Sequence, residues 1–226
     1  MDSTPRITVS ISNSSDTFDL STNVPFTIFI ALKLDHSCPI TFDKRCAGLF
    51  DGRLLHKGGL TFVNTSTGQP VPRSIIDLCY SSSNSDGTPT ENDKETFRTL
   101  FPGKEYLIEA NFYPLLSLPL FDDRGMTGEE LAQKQDTLPR TWKWPRVGLF
   151  EDGETYEVGV SKKAVVGRWM EGSLEDLLAM KRSWLFGLVK SAQKPEIKGT
   201  KIEYTIEKTT KFIFKRPDKD GSLNWP

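Results

Sequence analysis

The sequence predicts a mainly β protein: an antiparallel two-sheet β-sandwich with one or two short helices in insertions. Three observations lead to this prediction. Short segments alternate apolar and polar residues with the period of a β-strand. Clusters of turn-forming residues separate these segments. No helical pattern lies between most of the predicted strands, which favours antiparallel pairing because parallel neighbours need a crossover connection.

The clearest strands are predicted near the start of the chain. At 7–11 three apolar residues alternate with polar ones, so one face of a strand is apolar. The segment 26–34 has the strongest alternation in the chain, and its second face is also largely apolar. We therefore expect 26–34 to be a central strand that is covered on both sides.

Two later segments share a pattern in which a turn with glycine precedes a tyrosine and a strand. In the first, Gly103 is followed by Tyr106, and in the second, Gly153 is followed by Tyr156. In sandwiches, a tyrosine at such a corner often hydrogen-bonds back to the backbone a few residues upstream. The repeat predicts two equivalent corners.

Further strands are predicted from shorter patterns. Residues 60–63 and 71–72 form a predicted hairpin near a sheet edge, where prolines are tolerated. The segment 74–80 is another candidate strand. The segments 202–206 and 212–214 predict two strands, with 207–210 as the hairpin link between them.

Residues 1–226 are predicted to form a single domain with three departures from the strand pattern. A polar loop at 81–94 has no residue suited to a core, so we expect it at the surface. An insertion at 114–146 contains a capping-box pattern at Thr127–Glu130 that predicts a short helix. The segment 170–195 contains a predicted helix with Ser173 as its N-cap, acidic residues in the first turn and leucines at helical spacing.

Composition excludes several classes of function. The chain has 29 basic and 30 acidic residues and a net charge of −1, which argues against nucleic-acid binding and against docking on anionic membranes. The N-terminal residues do not have the pattern of a secretory signal, so we expect a cytoplasmic protein. The predicted partner is a protein or a small apolar ligand, with no nucleic acid and no membrane.

No motif in the sequence predicts catalysis or a cofactor. There is no nucleophile elbow and no glycine-rich phosphate loop. His36, Cys38, Cys46 and His56 are residue types that bind zinc, but their spacing matches no structural zinc pattern, so no metal site and no cofactor are predicted. The three cysteines, including Cys79, are predicted to be small buried residues, and whether any is reactive stays open.

Two groups in the insertion are candidates for ligand binding. Arg140, Trp142 and Trp144 lie in an aromatic and basic stretch that is able to stack on a flat ligand or a peptide. The alternative is that both tryptophans lie on one face of a strand and pack into the core. Asp122 and Asp123 are candidates for binding a cation or for acid–base chemistry, and the alternative is a solvated loop.

Several segments together resemble a family of uncharacterised fungal proteins. They are 59–62, 67–72, Leu100 with Pro102-Gly103, Gly153 with Tyr156, and 221–226. The resemblance implies lineage and fold and does not imply an activity. The segment 100–114 also resembles an element of arrestin-like sandwiches, so the sandwich is expected to be immunoglobulin-like or arrestin-like.

Three functions are left open by the sequence, and the third of them is a cytosolic inhibitor or chaperone-like sandwich that offers an edge strand to a partner. The first is an intracellular, non-enzymatic protein-interaction or adaptor module, with 81–94 and 114–146 as contact surfaces. It predicts a shallow surface with an exposed apolar patch. The alternative is a small-molecule-binding enzyme, similar to a cyclase or isomerase of fungal secondary metabolism, with an apolar pocket lined by tryptophans.

Overall fold

A computed structural model describes residues 4–50, 54–55, 58–72, 87–117, 125–130, 133, 141–185 and 195–217. The fold is mainly β, with one sheet curled into a half-barrel and two short helices. The mainly β prediction is confirmed. The candidate strand at 74–80, together with His56 and Cys79, lies outside the described residues.

The element bounds are as follows. The strands are β1 (Arg6–Asn13), β2 (Thr17–Asp19), β3 (Phe26–Asp35), β4 (Ile40–Asp43), β5 (Leu60–Asn64), β6 (Phe97–Leu100), β7 (Glu105–Phe112), β8 (Leu115–Ser117), β9 (Thr141–Lys143), β10 (Thr155–Val160), β11 (Val165–Val166), β12 (Met170–Glu171), β13 (Ile202–Lys208) and β14 (Thr210–Lys215). The helix α1 is Leu174–Leu185, and residues 128–130 are also helical. Short 3-10 turns lie at Lys44–Cys46 and Lys94–Thr96.

The largest sheet has five strands in the order β11-β13-β1-β3-β7. The predicted central strand 26–34 is confirmed as β3, which pairs with β1 on one side and β7 on the other. Its inward residues are buried, but on its outward face Phe29 and Ala31 are half-buried and Lys33 is exposed. The expectation of cover on both faces is therefore not met among the described residues.

A second sheet has four strands in the order β2-β14-β10-β5. The predicted hairpin after 60–63 is confirmed, because Val63 bridges to Pro70 and the Val71 N–H donates to the Phe62 carbonyl. As predicted, β5 lies at an edge of its sheet. The remaining strands of the described residues form two short antiparallel pieces, β12-β4-β6 and the ribbon β8-β9.

The inward side chains of the two large sheets pack into one hydrophobic core. The buried residues that these strands contribute include Ile7, Val9, Ile11, Ile28, Ile30, Leu32, Leu60, Phe62, Ala110, Phe112, Tyr156, Val158, Phe212 and Phe214. Aromatic rings meet at its centre, where the Phe18 and Phe26 rings stack with centroids 4.5 Å apart. Burying residues of this size contributes on the order of 1.5–3 kcal/mol each to folding.

Both predicted tyrosine corners are confirmed. The Phe101 N–H donates to Tyr106 Oη at 3.2 Å, and the Glu151 N–H donates to Tyr156 Oη at 2.7 Å. Each bond reaches back five residues in the chain. The turns need glycine, because Gly103 and Gly153 have φ values of 73° and 76°, in the left-handed region.

The predicted helix caps are also confirmed. Ser173 Oγ accepts from the Asp176 N–H and donates to Asp176 Oδ2, so the start of α1 is capped by its own side chains. Leu177 packs with Phe97 and Met170 in a second small cluster. At the other predicted box, the Thr127 N–H and hydroxyl donate to Glu130 Oε2.

Two predictions about pairing are wrong. The segments 202–206 and 212–214 are strands, but they do not form a hairpin: β13 pairs with β1, whereas β14 pairs with β10 and β2 in the other sheet. Pairing is also not wholly antiparallel, because β1 with β13 and β2 with β14 run parallel. Alternation indicates a strand and its buried face, and it carries no information about which sheet the strand joins.

The polar loop predicted at 81–94 is described from residue 87 onward. Within that part Thr88 and Pro89 are buried, so the expectation of a wholly surface loop is wrong there. Lys181 Nζ of α1 donates to Thr88 Oγ1 at 2.6 Å, and this bond satisfies a hydroxyl that is 0% exposed. A polar side chain with a hydrogen-bond partner can be buried at little cost.

Candidate functional site

The residues predicted from the sequence as ligand contacts do not form a site among the described residues. Arg140, Asp122 and Asp123 lie outside the described residues. Trp142 lies in β9, and the description of the structure does not extend to its side chain. Trp144 follows β9 and is 1% exposed, with its ring centroid 5.4 Å from that of Phe18. Trp144 is therefore a core residue, which agrees with the alternative interpretation for this residue, although it lies after the strand and not on it.

A groove lies on the outer side of β2, at the edge of the four-stranded sheet. Its volume is about 560 Å³. Apolar and polar groups line it together: Ser14, Ser15, Thr17, Phe18, Asp19, Thr22, Val24, Pro25, Phe26, Ile213 and Lys215. Alternation along β14 turns Phe212 and Phe214 into the core, so Ile213 and Lys215 point to the groove side.

Two apolar side chains in this groove are in contact with solvent. Val24 is 69% exposed and Ile213 is 46% exposed. Val24 lies on the connection from β2 to β3, and Ile213 pairs with Thr17 across the parallel strands. Both line the same groove, so they offer apolar surface that a partner in the groove is able to cover.

The polar rim of the groove is formed around Asp19. Its Oδ1 accepts hydrogen bonds from the Ser21 N–H at 2.8 Å and the Ser21 hydroxyl at 2.6 Å, and Lys215 Nζ lies 3.6 Å from its Oδ2. Burial alone would raise the pKa of the Asp19 carboxyl, but the bonds from Ser21 and the charge of Lys215 outweigh it. The pKa of Asp19 therefore lies below its ordinary value.

A second group of chemistry-bearing residues lies at the end of β3. His36, Cys38 and Glu171 each offer one ligand atom, and these atoms lie within 4.8 Å of one another. The Cys38 Sγ is 3.4 Å from His36 Nδ1, and the three residues are half-buried. We refer to His36, Cys38 and Glu171 as the thiol–imidazole–carboxylate cluster.

The fold brings these residues together by pairing two very short strands. His36 and Cys38 lie on the turn between β3 and β4, and Glu171 is in β12, where it pairs with Ile40. The Gly172 N–H donates to the Pro39 carbonyl and Thr41 Oγ1 donates to the Gly172 carbonyl, both at 2.8 Å. The strand pairing of Glu171 with Ile40 and these two hydrogen bonds therefore hold the turn and β12 together.

Two further residues surround the cluster. Lys198 Nζ donates to Glu171 Oε1 at 2.5 Å and lies 5.2 Å from the centre of the Trp169 ring. The His36 ring meets Trp169 edge-on, with centroids 6.2 Å apart. Trp169 itself is 3% exposed, and its Nε1 donates to the Thr200 carbonyl at 2.8 Å.

Two of the three residues of this cluster were already candidates in the sequence. Sequence reasoning singled out His36 and Cys38 as zinc-type ligands, but it grouped them with Cys46 and His56. The structure brings Glu171 to them instead, and Cys46 is exposed on the 3-10 turn after β4. Cys38 is half-buried, so the prediction of buried cysteines is wrong for both of the described ones. A β12 of two residues leaves no periodic signal that would have identified Glu171.

Comparison with protein-family models, with curated proteins and with solved structures gave no match. Among the described residues, no helix has the length and apolar character needed to cross a membrane.

Proposed function

We propose that the chain is a non-enzymatic protein-interaction module that holds an extended segment of a partner protein in the groove beside β2. The observation that carries the proposal is the presence of two exposed apolar side chains, Val24 and Ile213, in the lining of a groove of about 560 Å³ at a sheet edge. This location differs from the loops 81–94 and 114–146 that the sequence indicated as contact surfaces.

The residues that line the groove indicate which kind of partner segment would fit there. An apolar side chain of the partner covers Val24 and Ile213 and removes their surface from water, which contributes about 25 cal/mol per Å² of apolar area. Polar groups of the segment meet Asp19 and Lys215 at the rim. Since β2 is an edge strand, a partner segment in extended conformation is able to run alongside it.

The alternative function, a small-molecule enzyme with a tryptophan-lined pocket, has less support from the described residues. Trp144 and Trp169 are both packed in the core, at 1% and 3% exposed. Neither lines the groove, whose walls are formed by β2, β14 and the connection to β3. An open groove with a mixed apolar and polar lining fits a protein segment better than it fits a wholly buried small molecule.

We also propose that the five-stranded and four-stranded sheets form the two layers of a β-sandwich. The support for this arrangement is that the two sheets contribute their inward side chains to one core cluster. The resemblance to fungal proteins of this type, the cytoplasmic location and the protein partner likewise stay predictions. An immunoglobulin-like or arrestin-like sandwich would present the groove at one edge of its two layers.

The test uses peptides selected for binding to the whole chain from a displayed library of random sequences. Their affinities are then measured by fluorescence anisotropy for the wild type, for Val24→Glu/Ile213→Glu and for Leu107→Glu. We expect the double variant to lose at least about tenfold in affinity, because each glutamate must be desolvated on binding.

Leu107→Glu is the matched control, since Leu107 is 59% exposed on β7 of the other sheet. We expect its affinity to equal that of the wild type. Equal losses in both variants, or peptides that bind the double variant as well as the wild type, would contradict the proposal.

A further inference from the structure

We propose that the thiol–imidazole–carboxylate cluster of His36, Cys38 and Glu171 binds a zinc ion. The proposal is independent of the groove beside β2, because it concerns a different part of the fold. It revises the expectation from the sequence that the chain has no metal site.

The distances between the ligand atoms are the first support. A tetrahedral zinc ion with a thiolate at about 2.3 Å and an imidazole nitrogen at about 2.0–2.1 Å separates these two atoms by about 3.6 Å. Cys38 Sγ and His36 Nδ1 are 3.4 Å apart. A Glu171 carboxylate oxygen lies within 4.8 Å of the Cys38 Sγ and of a His36 ring nitrogen, so a change in the Glu171 side-chain rotamer is needed to complete the set.

The second support is that the scaffold holds the ligands in place. The turn carrying His36 and Cys38 is fixed to β12 by the bonds of Gly172 to Pro39 and of Thr41 to Gly172. The Trp169 ring contacts the His36 ring and so restricts its orientation. A preorganised set of ligands loses little conformational entropy when the ion binds.

The chemistry of the ligands indicates which ion they select. A thiolate, an imidazole and a carboxylate together are typical of zinc, whereas magnesium and calcium prefer oxygen ligands alone. Three protein ligands leave the fourth tetrahedral position to a water molecule or to a ligand from outside. The half-buried position of the three residues lets solvent reach that position.

Lys198 forms an ion pair with Glu171, one of the three proposed zinc ligands. Its ammonium group neutralises the Glu171 carboxylate, with 27% of the lysine side chain and 34% of the glutamate side chain exposed. A zinc ion needs the same carboxylate, so the ion and the lysine compete for it. Lys198 keeps its contact with the Trp169 ring when it releases Glu171, because the ammonium already lies over that ring.

The test is a titration of the reduced full-length chain with Co²⁺, followed by displacement with Zn²⁺. We expect an absorption band from charge transfer between the Cys38 thiolate and Co²⁺, which Zn²⁺ removes. Cys38→Ser is expected to abolish the band and to weaken Zn²⁺ binding at least about tenfold. Cys46→Ser, which removes the exposed cysteine, is the matched control and is expected to retain both.

Two further variants keep the test decisive if Cys38→Ser fails to fold. Glu171→Gln preserves the side-chain shape and is expected to weaken Zn²⁺ binding at least about tenfold. Lys198→Met is expected to tighten it roughly two- to fivefold, since it removes the competing charge. Lys211→Met removes a charge from a surface ion pair with Glu157 and is expected to leave the affinity unchanged.

The proposal is overturned if the wild type shows no charge-transfer band with Co²⁺. It is also overturned if the band survives in Cys38→Ser or disappears in Cys46→Ser. A Zn²⁺ affinity that is equal in the wild type and Glu171→Gln would remove Glu171 from the ligand set.

Discussion

At the scale of single residues, Trp144 and Trp169 differ in the hydrogen bonding of the indole N–H. Both indole rings are buried, at 1% and 3% exposed. Trp169 Nε1 donates to the Thr200 carbonyl, whereas Trp144 Nε1 has no hydrogen-bond partner among the described residues. A buried N–H without a partner lowers the folding stability by about 1–3 kcal/mol. The packing of the Trp144 ring in the core must outweigh this cost.

This difference predicts unequal effects of replacing each tryptophan with phenylalanine. Trp144→Phe and Trp169→Phe both leave a cavity, but the first also removes the unpaired N–H and the second breaks a hydrogen bond. We expect Trp169→Phe to lower the free energy of unfolding by about 1–2 kcal/mol more than Trp144→Phe. Urea denaturation of both variants measures the difference, and a larger loss for Trp144→Phe would contradict it.

The tyrosine corners show what residue-level reasoning is able to predict. Tyr106 and Tyr156 bond to backbone only five residues away, so the turn, the glycine and the tyrosine are all visible in one short window of sequence. Cys38 and Glu171 are brought together by a contact between distant parts of the chain. No local pattern contains that contact, which is why the sequence grouped His36 and Cys38 with Cys46 and His56 and did not include Glu171.

At the scale of elements, a chain of hydroxyl groups joins the small sheet to the helix. The Leu174 N–H donates to Thr99 Oγ1 at 3.1 Å, and Thr99 Oγ1 is 2.8 Å from Thr41 Oγ1. Thr41 Oγ1 in turn donates to the Gly172 carbonyl. Because Thr41 uses its proton on Gly172, Thr99 donates to Thr41, and β6, β4 and the start of α1 share one hydrogen-bonded path.

Breaking this path is expected to destabilise the protein without changing side-chain volume. Thr41→Val removes the bond to Gly172 and leaves a carbonyl and a hydroxyl without their partner. Since Thr41 is 0% exposed, we expect a loss of about 1–3 kcal/mol in the free energy of unfolding. Thr205→Val, at an exposed position of β13, is the control and is expected to change stability by less than about 0.5 kcal/mol.

The C-terminal strands show where element-level prediction fails. The alternation at 202–206 and 212–214 identified two strands, and β13 and β14 confirm both. Thr209 alone separates them, which resembles a tight hairpin in sequence. In the structure the chain passes from one sheet to the other at this residue, so that β13 pairs with β1 and β14 pairs with β10.

At the scale of the whole molecule, Asp19 makes stability depend on pH. The pKa of Asp19 is below its ordinary value of 3.8 in the folded protein, because the bonds from Ser21 and the charge of Lys215 outweigh its burial. A carboxyl group whose pKa is lowered by folding stabilises the folded state above its ordinary pKa. This contribution is lost as the pH falls through the lower, folded-state pKa.

Asp19→Asn should therefore be less stable than the wild type at neutral pH. We expect the difference in the free energy of unfolding to be up to about 1 kcal/mol and to disappear in strong acid, well below the ordinary pKa of 3.8. Urea denaturation at the two pH values provides the measurement. Exposed Asp16→Asn controls for the change in net charge, and a difference for Asp19→Asn that persists in acid would contradict the prediction.

The overall class of the protein followed from the sequence because strand periodicity is repeated many times along the chain. The arrangement of strands did not, because parallel pairing of β1 with β13 and of β2 with β14 joins segments from opposite ends of the sequence. The groove beside β2 depends on that arrangement, since Ile213 and Lys215 reach it only through the pairing of β14 with β2.

This strand order has a consequence for synthesis on the ribosome. The strands β13 and β14 emerge after every other strand that the structure describes, yet β13 lies between β11 and β1, and β14 lies between β2 and β10. The five-stranded sheet lacks an internal strand until residue 208 leaves the exit tunnel, and the four-stranded sheet lacks one until residue 215 does, so the neighbouring strands expose backbone hydrogen-bonding groups until then. With contacts of such long sequence separation, closure of the two large sheets is expected to be slow and to wait until β13 and β14 have emerged.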